Sequence, residues 1–291
     1  MSGLNVSIGF LLGVVTLGLS AGSVLKLRPL LSFSAEFPAS FILVACWLEV
    51  QTLMEVGPWA GGLGPDVAAT TLFFVLLVQG AMFRDASGNP LVVLMKFLLC
   101  ESTPLCMISA LIAHFAGAWL AQLLTRYYWS LELSDMHMIK NLMARDCSPT
   151  LRVSVPQGAF TEGVCALVFH LILLNLQRSS AVLRVPLVAL VLTFLSYAAS
   201  SHTSGFINPS LAYALTFHCL GFTFTEYAMV FWLAPFIAMV LALFLYTGHI
   251  PRLFTRNLLY SQKACFWVPK TKHLQEHINR KAKKKAEKKG T

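Results

Sequence analysis

The sequence predicts an all-α membrane protein made of two inverted halves, with six core spans, two re-entrant half-helices and an extra N-terminal apolar helix. Three observations carry this expectation. Apolar residues make up 56% of the 291 and charged residues only 12%, about half the charged share of a soluble domain, and the apolar residues fall in continuous runs. Two of the runs are half the length of a span, and each stands directly behind an Asn-Pro pair. The order of runs and pairs then repeats along the chain.

Seven runs approach the roughly 20 residues needed to cross a hydrocarbon core of about 30 Å. They cover residues 4–25, 36–56, 66–83, 104–129, 158–176, 185–200 and 224–247. The two short runs, 91–99 and 210–220, would rise only about 15 Å as helices, half the core. Omitting the first run, each half reads as a span with an early glutamate, a loop, a span, an Asn-Pro box, a half-helix and a span. The first half carries Glu36 and Ser87-Gly88-Asn89-Pro90; the second carries Glu162 and Ser204-Gly205-Phe206-Ile207-Asn208-Pro209. Glutamate and asparagine are 53 residues apart in the first half and 46 in the second, the excess matching the Gly/Pro-rich loop 57–65. The domain organisation expected is an N-terminal apolar segment with a basic linker (1–35), a core domain (36–247, with repeats 36–129 and 158–247) and a basic tail (248–291).

Three spans per half is odd, so the halves are inverted with respect to one another and the half-helices meet near the bilayer midplane. The net charge of +9 sets the orientation. Twelve of the 22 Lys and Arg lie from Arg252 onward against only Glu276 and Glu287, leaving a nearly neutral body and a basic tail. That pattern puts the C-terminus in the cytosol by the positive-inside rule and gives no reason to expect a nucleic-acid partner. Anionic lipid is an alternative reading of the tail, beside a plain solvated end. Its last residues, Lys288-Lys289-Gly290-Thr291, resemble the dilysine signal read by retrieval machinery, which predicts residence in the endoplasmic reticulum or another intracellular membrane. The first run reads either as a cleavable signal peptide ending near Ser20-Ala21-Gly22 or as a retained anchor. The absence of a basic stretch before it, and Lys26 and Arg28 after it, favour the anchor.

Non-helical backbone at membrane depth survives only where protein or a wet cavity satisfies it. Asn is a strong N-cap, and Pro suits the first helical position because its missing N–H would be unpaired anyway. Asn89 and Asn208 are therefore expected to cap their half-helices through the side-chain oxygen, leaving each amide NH₂ free to donate to a pore. Carbonyls of the preceding loop residues supply acceptors. Two helix N-termini converging on one point, each worth roughly half a positive charge, disfavour cations and protons there but not neutral solutes. No nucleophile-and-base pair, metal-ligand cluster or phosphate-cradling loop appears, so no catalytic residue, metal or cofactor is expected.

These residues resemble the aquaporin family, whose two Asn-Pro-Ala boxes have this arrangement. The resemblance covers roughly residues 36–247 and extends to Phe231-Trp232-Leu233-Ala234-Pro235, similar to the Trp-x-x-Pro of the family's last span. It implies a passive channel for water and small neutral solutes such as glycerol or hydrogen peroxide, assembled as a homotetramer in a lipid bilayer. It also implies that Glu36 and Glu162 brace the re-entrant loops, although both could instead be interfacial carboxylates reaching for water. The boxes depart from the family pattern, reading Asn89-Pro90-Leu91 and Asn208-Pro209-Ser210. Leu211 stands where orthodox members place a filter arginine, Ser196 with Tyr197 beside it where they place a filter histidine, and Leu72 or Phe73 would face these from the other half. Losing the arginine implies a wider or more apolar constriction. Cys219, nine residues past Ser210, matches a feature of the superaquaporin subfamily, and the chain is most similar to that subfamily's pancreas-type branch.

Other polar residues read plainly. His114, His170 and His218 sit in apolar runs without the spacing of a metal pair and are expected to be satisfied interior histidines; His202 lies near the second box. Cys147 and Cys219 fall on the same, non-cytosolic side, where a disulfide is allowed but not indicated. Glu49 has no counterpart in the second half, and no role is assigned to it. Two rival functions follow from the same pattern: a non-conducting scaffold whose altered filter has closed the pore, and a secondary transporter, which would ordinarily need a titratable group at the midplane.

Overall fold

A computed structural model of the chain describes residues 3–26, 35–83, 86–143, 150–217, 219, 221 and 223–248. Lys288 and Lys289, with the tail they end, lie outside the described residues, as do Cys147 and His218. Among the described residues the regular structure is entirely helical. Among the described residues seven helical stretches are long and apolar enough to cross a membrane, the last running over Phe224–Tyr246.

The helices are α1 (Gly3–Lys26), α2 (Glu36–Glu55), α3 (Pro65–Met82), α4 (Pro90–Leu98), α5 (Pro104–Ser130), α6 (Asp135–Met143), α7 (Val155–Leu176), α8 (Ala181–Ala199), α9 (Pro209–Thr216), α10 (Phe224–Ala228) and α11 (Ala234–Tyr246). Proline opens α3, α4, α5 and α9, where its lost N–H costs nothing. A π-turn, Met229–Leu233, joins α10 to α11. Its cause is local: Pro235 has no N–H to return to the Phe231 carbonyl, and the Ala234 N–H bonds Met229 instead, widening the turn. A second π-turn, Gly57–Gly61, closes α2 and ends at Gly62 in the left-handed conformation.

Helix α2 is the hub, buried along nearly its whole length. It packs on α5 above all, and also on α1 and α3. The α2–α5 crossing is close because Gly117 presents no side chain: a Cβ there would lie 2.6 Å from the Phe37 carbonyl and 3.1 Å from the Phe41 nitrogen. Small residues permit such approach between membrane helices, where apolar burial alone gives little drive to associate. The N-terminal helix α1 belongs to the same compact unit, Met1–Leu243, as the inverted halves. The chain from Phe244 onward forms a second unit, of which only the end of α11 and two residues after it are described.

Glu49 anchors α1 in this arrangement. Its fully buried carboxylate accepts hydrogen bonds from Ser7 Oγ of α1, from Trp129 Nε1 of α5 at 3.1 Å and from His137 Nε2 of α6 at 2.8 Å. Tyr128 supports the junction, its ring stacked on Phe10 and its hydroxyl donating to the Val6 carbonyl at 2.9 Å.

Candidate functional site

The half-helices α4 and α9 begin at the two Asn-Pro boxes, and each asparagine caps its own helix. Asn89 Oδ1 accepts the Leu91 N–H at 2.9 Å, and Asn208 Oδ1 accepts those of Ser210 and Leu211 at 3.0 and 3.4 Å. The Ser210 hydroxyl also donates to Asn208 Oδ1 at 2.8 Å, so the serine of the altered second box reinforces the cap.

The amide groups then tie the boxes together. Asn89 Nδ2 donates to the Ile207 carbonyl at 3.0 Å, and Asn208 Nδ2 donates to the Gly88 carbonyl at 2.8 Å. This corrects the expectation that both NH₂ groups are free. An amide nitrogen carries two N–H donors; one of each is spent on the opposite loop, leaving one. In both loops the residue before the asparagine is left-handed, Gly88 at φ 63° and Ile207 at φ 54°. Glycine adopts this freely, whereas a β-branched residue there costs on the order of 1–3 kcal/mol.

The two early glutamates hold these loops in shape. Glu36 Oε2 accepts the Ser87 and Gly88 N–H groups at 3.0 and 3.1 Å, and His114 Nε2 lies 2.9 Å from the same oxygen. Glu162 accepts the Phe206 and Ile207 N–H groups at 3.0 and 2.9 Å. The pattern repeats without its histidine. Both carboxylates are buried and spent on backbone donors, which is not the arrangement of side chains reaching for interfacial water.

A cavity of about 200 Å³ leads to the asparagines from one side, room for several waters. Lys96, Gln177 and Arg184 stand among its lining toward the ends of α4, α7 and α8, while Asn89 and Asn208 line it at the box tips. Between them the walls are chiefly apolar, with Gln79 and Ser87 adding polar atoms. Trp47, Phe206 and Leu211 line it beside the asparagines, and all three belong to the buried core.

Of the filter candidates, Leu211 lines this cavity and Ser196, Tyr197, Leu72 and Phe73 do not. Tyr197 is 48% exposed on the outside of the chain. Its neighbour Ser196 faces inward, so Tyr197, about 100° further round the helix, faces out. Ser196 gives its hydroxyl to the Ser204 carbonyl at 3.0 Å, and Leu72 is packed in the core. His202 is exposed and pairs with Ser201, away from the cavity. Cys219 is disulfide-bonded; Cys46, Cys106 and Cys165 are free. Among the described residues no group of three or more His, Cys, Asp or Glu is disposed to hold a metal ion.

Sequence reasoning missed Trp47, Gln79 and the side chain of Phe206. Phe206 had a signal available, since a large ring stands two residues before Asn208 where the first loop has only Ser87. Trp47 had none, because nothing local marks which face of a uniformly apolar helix turns inward.

No family model matches the chain. Aquaporin-12 of Mus musculus is 44% identical over 276 residues, covering 94% of this chain and 95% of the relative. Aquaporin-11 of Homo sapiens is 33% identical over 257 residues, covering 87% and 93%. Among solved structures, the aquaglyceroporin from Plasmodium falciparum superposes with a TM-score of 0.59 at 16% identity, covering 77% of this chain and 98% of that one, a likeness of fold.

Proposed function

The chain belongs to the aquaporin family, in the superaquaporin branch beside the aquaporin-12 type, and from that premise we propose that it is a passive channel for water and small neutral solutes in an intracellular membrane. The observation that carries this reading is the pair Asn89 and Asn208 lining one cavity, each with one amide N–H uncommitted. Neutral solutes exchange hydrogen bonds with such donors, while the two converging helix N-termini repel cations. Glu36 and Glu162 serve in this reading as loop braces, Pro90, Leu91, Pro209 and Ser210 as the box residues that start each half-helix, and Leu211 as a wall of the path. A cytosolic tail read by retrieval machinery at Lys288 and Lys289 supplies the location, and homotetramer assembly follows the family.

Stopped-flow permeability of reconstituted protein to water, glycerol and hydrogen peroxide tests the reading, beside an Asn208→Asp variant. The wild type should exceed bare lipid for water. In the variant a carboxylate oxygen faces the Gly88 carbonyl in place of a donor, which should break the tie between the loops and favour cation entry over neutral solutes.

One observation supports a second reading, a non-conducting scaffold: Trp47, Phe206 and Leu211 crowd the cavity beside the asparagines. Normal folding and oligomerisation with no permeability above background would select it.

A further inference from the structure

We infer that Trp47 and Phe206 form the constriction that determines which neutral solutes pass, and that it favours the smallest ones, with few hydrogen-bonding groups, over polyols. The inference rests on the channel reading above. Phe206 is fixed at both ends: its backbone N–H is held by Glu162, and its ring packs against Phe231 with centroids 5.7 Å apart. The Trp47 ring meets it edge-on at 6.5 Å between centroids. Both residues line the cavity together with Leu211, Asn89 and Asn208.

The chemistry of that ring of residues sets the selection. The Phe206 and Leu211 side chains and most of the Trp47 indole present carbon surface, and the side-chain donors beside them are the Trp47 indole N–H and the spare N–H of each asparagine. The Gly88 and Ile207 carbonyls already accept the opposite amides. A solute moving past gives up hydrogen bonds on the apolar sides, and each polar group left unpaired there raises the barrier to passage. Water and hydrogen peroxide have few groups to satisfy and fit a narrow gap. A triol has three hydroxyls and more bulk, so it is penalised on both counts.

The test is stopped-flow permeability of proteoliposomes holding wild type, Phe206→Ala, Phe206→Leu or Trp47→Phe, measured for glycerol and water on the same vesicles and corrected for bare lipid. The ratio of the two is independent of how much protein folds, and the leucine and phenylalanine variants keep an apolar side chain at each buried position. A glycerol-to-water ratio that rises severalfold in the Phe206 variants and less in Trp47→Phe supports the assignment. A ratio unmoved in all three, with wild-type water flux above bare lipid, overturns the assignment and leaves the channel reading standing. Wild-type water flux no faster than bare lipid overturns the channel reading and this inference with it.

Discussion

Glu49 Oε1 lies 2.8 Å from His137 Nε2 across 88 residues of sequence, tying the buried hub α2 to a helix in the loop between the two halves. The same carboxylate takes Trp129 and Ser7. A carboxylate inside a span is costly unless its partners are good, and here they come from three different helices.

Glu49→Ala should therefore be severely destabilising. It leaves the Ser7, Trp129 and His137 donors buried without their acceptor, and losing one side of a buried ionisable network costs about 3–5 kcal/mol. Thermal unfolding in detergent should show a large fall in midpoint. Ser7→Ala removes one donor only and should cost about 1 kcal/mol. A Ser7→Ala midpoint equal to wild type would mean that α1 is not held through this carboxylate.

Glu162→Gln tests the brace of the second loop. The carboxylate uses one oxygen for Phe206 N–H and the other for Ile207 N–H; an amide keeps a single acceptor and turns a donor toward the second N–H. Hydrogen bonds to a charged acceptor are worth about 1.5–3 kcal/mol, so stability should fall by an amount of that order. Ile207 holds its strained conformation under this brace, so water permeability per folded protein should fall as well. A variant with unchanged stability and flux would show the loop held by other contacts.

Much of the fold was legible because its signals are local. A run either has the length to cross a bilayer or does not, and an Asn-Pro pair directly ahead of an apolar run supplies an N-cap and a first helical residue, so α4 and α9 begin where the boxes predict. Helix α6 was not legible. It lies in a charge-balanced loop, and what buries His137 is a carboxylate 88 residues away. The cavity walls were half legible for a related reason: counting along α8 reaches Ser196 and Tyr197 but cannot say which one faces inward, and along α2 every residue from Pro38 to Val50 is buried, so apolarity gives Trp47 no distinction. The reciprocal amide bonds needed both loops in three dimensions.

Gly117→Ala should separate α2 from α5. The added Cβ would sit 2.6 Å from a backbone carbonyl, which cannot rotate away as a side chain end can. The helices must move apart, and overpacking of this kind costs about 1–3 kcal/mol. Because Ser40 of α2 also donates to the His114 carbonyl across this crossing at 2.8 Å, the loss should reach the Glu36–His114 contact. Detergent unfolding midpoints check the stability, and a midpoint equal to wild type would place the crossing further apart than 2.6 Å implies.

Gly88→Ala isolates the pivot on which the two boxes meet. Gly88 is left-handed, and a Cβ would lie 3.1 Å from Gln79 Nε2 and 3.2 Å from the Ala39 carbonyl. The left-handed conformation alone costs an L-residue roughly 1–2 kcal/mol, and crowding adds to it. Relief by rotating the peptide would swing the Gly88 carbonyl away from Asn208 Nδ2, its donor at 2.8 Å. The variant should lose stability and, at equal folded protein, water permeability, since one tie between the half-helices is broken. Ile207 already bears such a cost in the other loop, which makes a second strained pivot harder to absorb. Unfolding and stopped-flow measurements on the same preparation check both effects, and loss of stability with undiminished flux per folded protein would separate the tie from conduction.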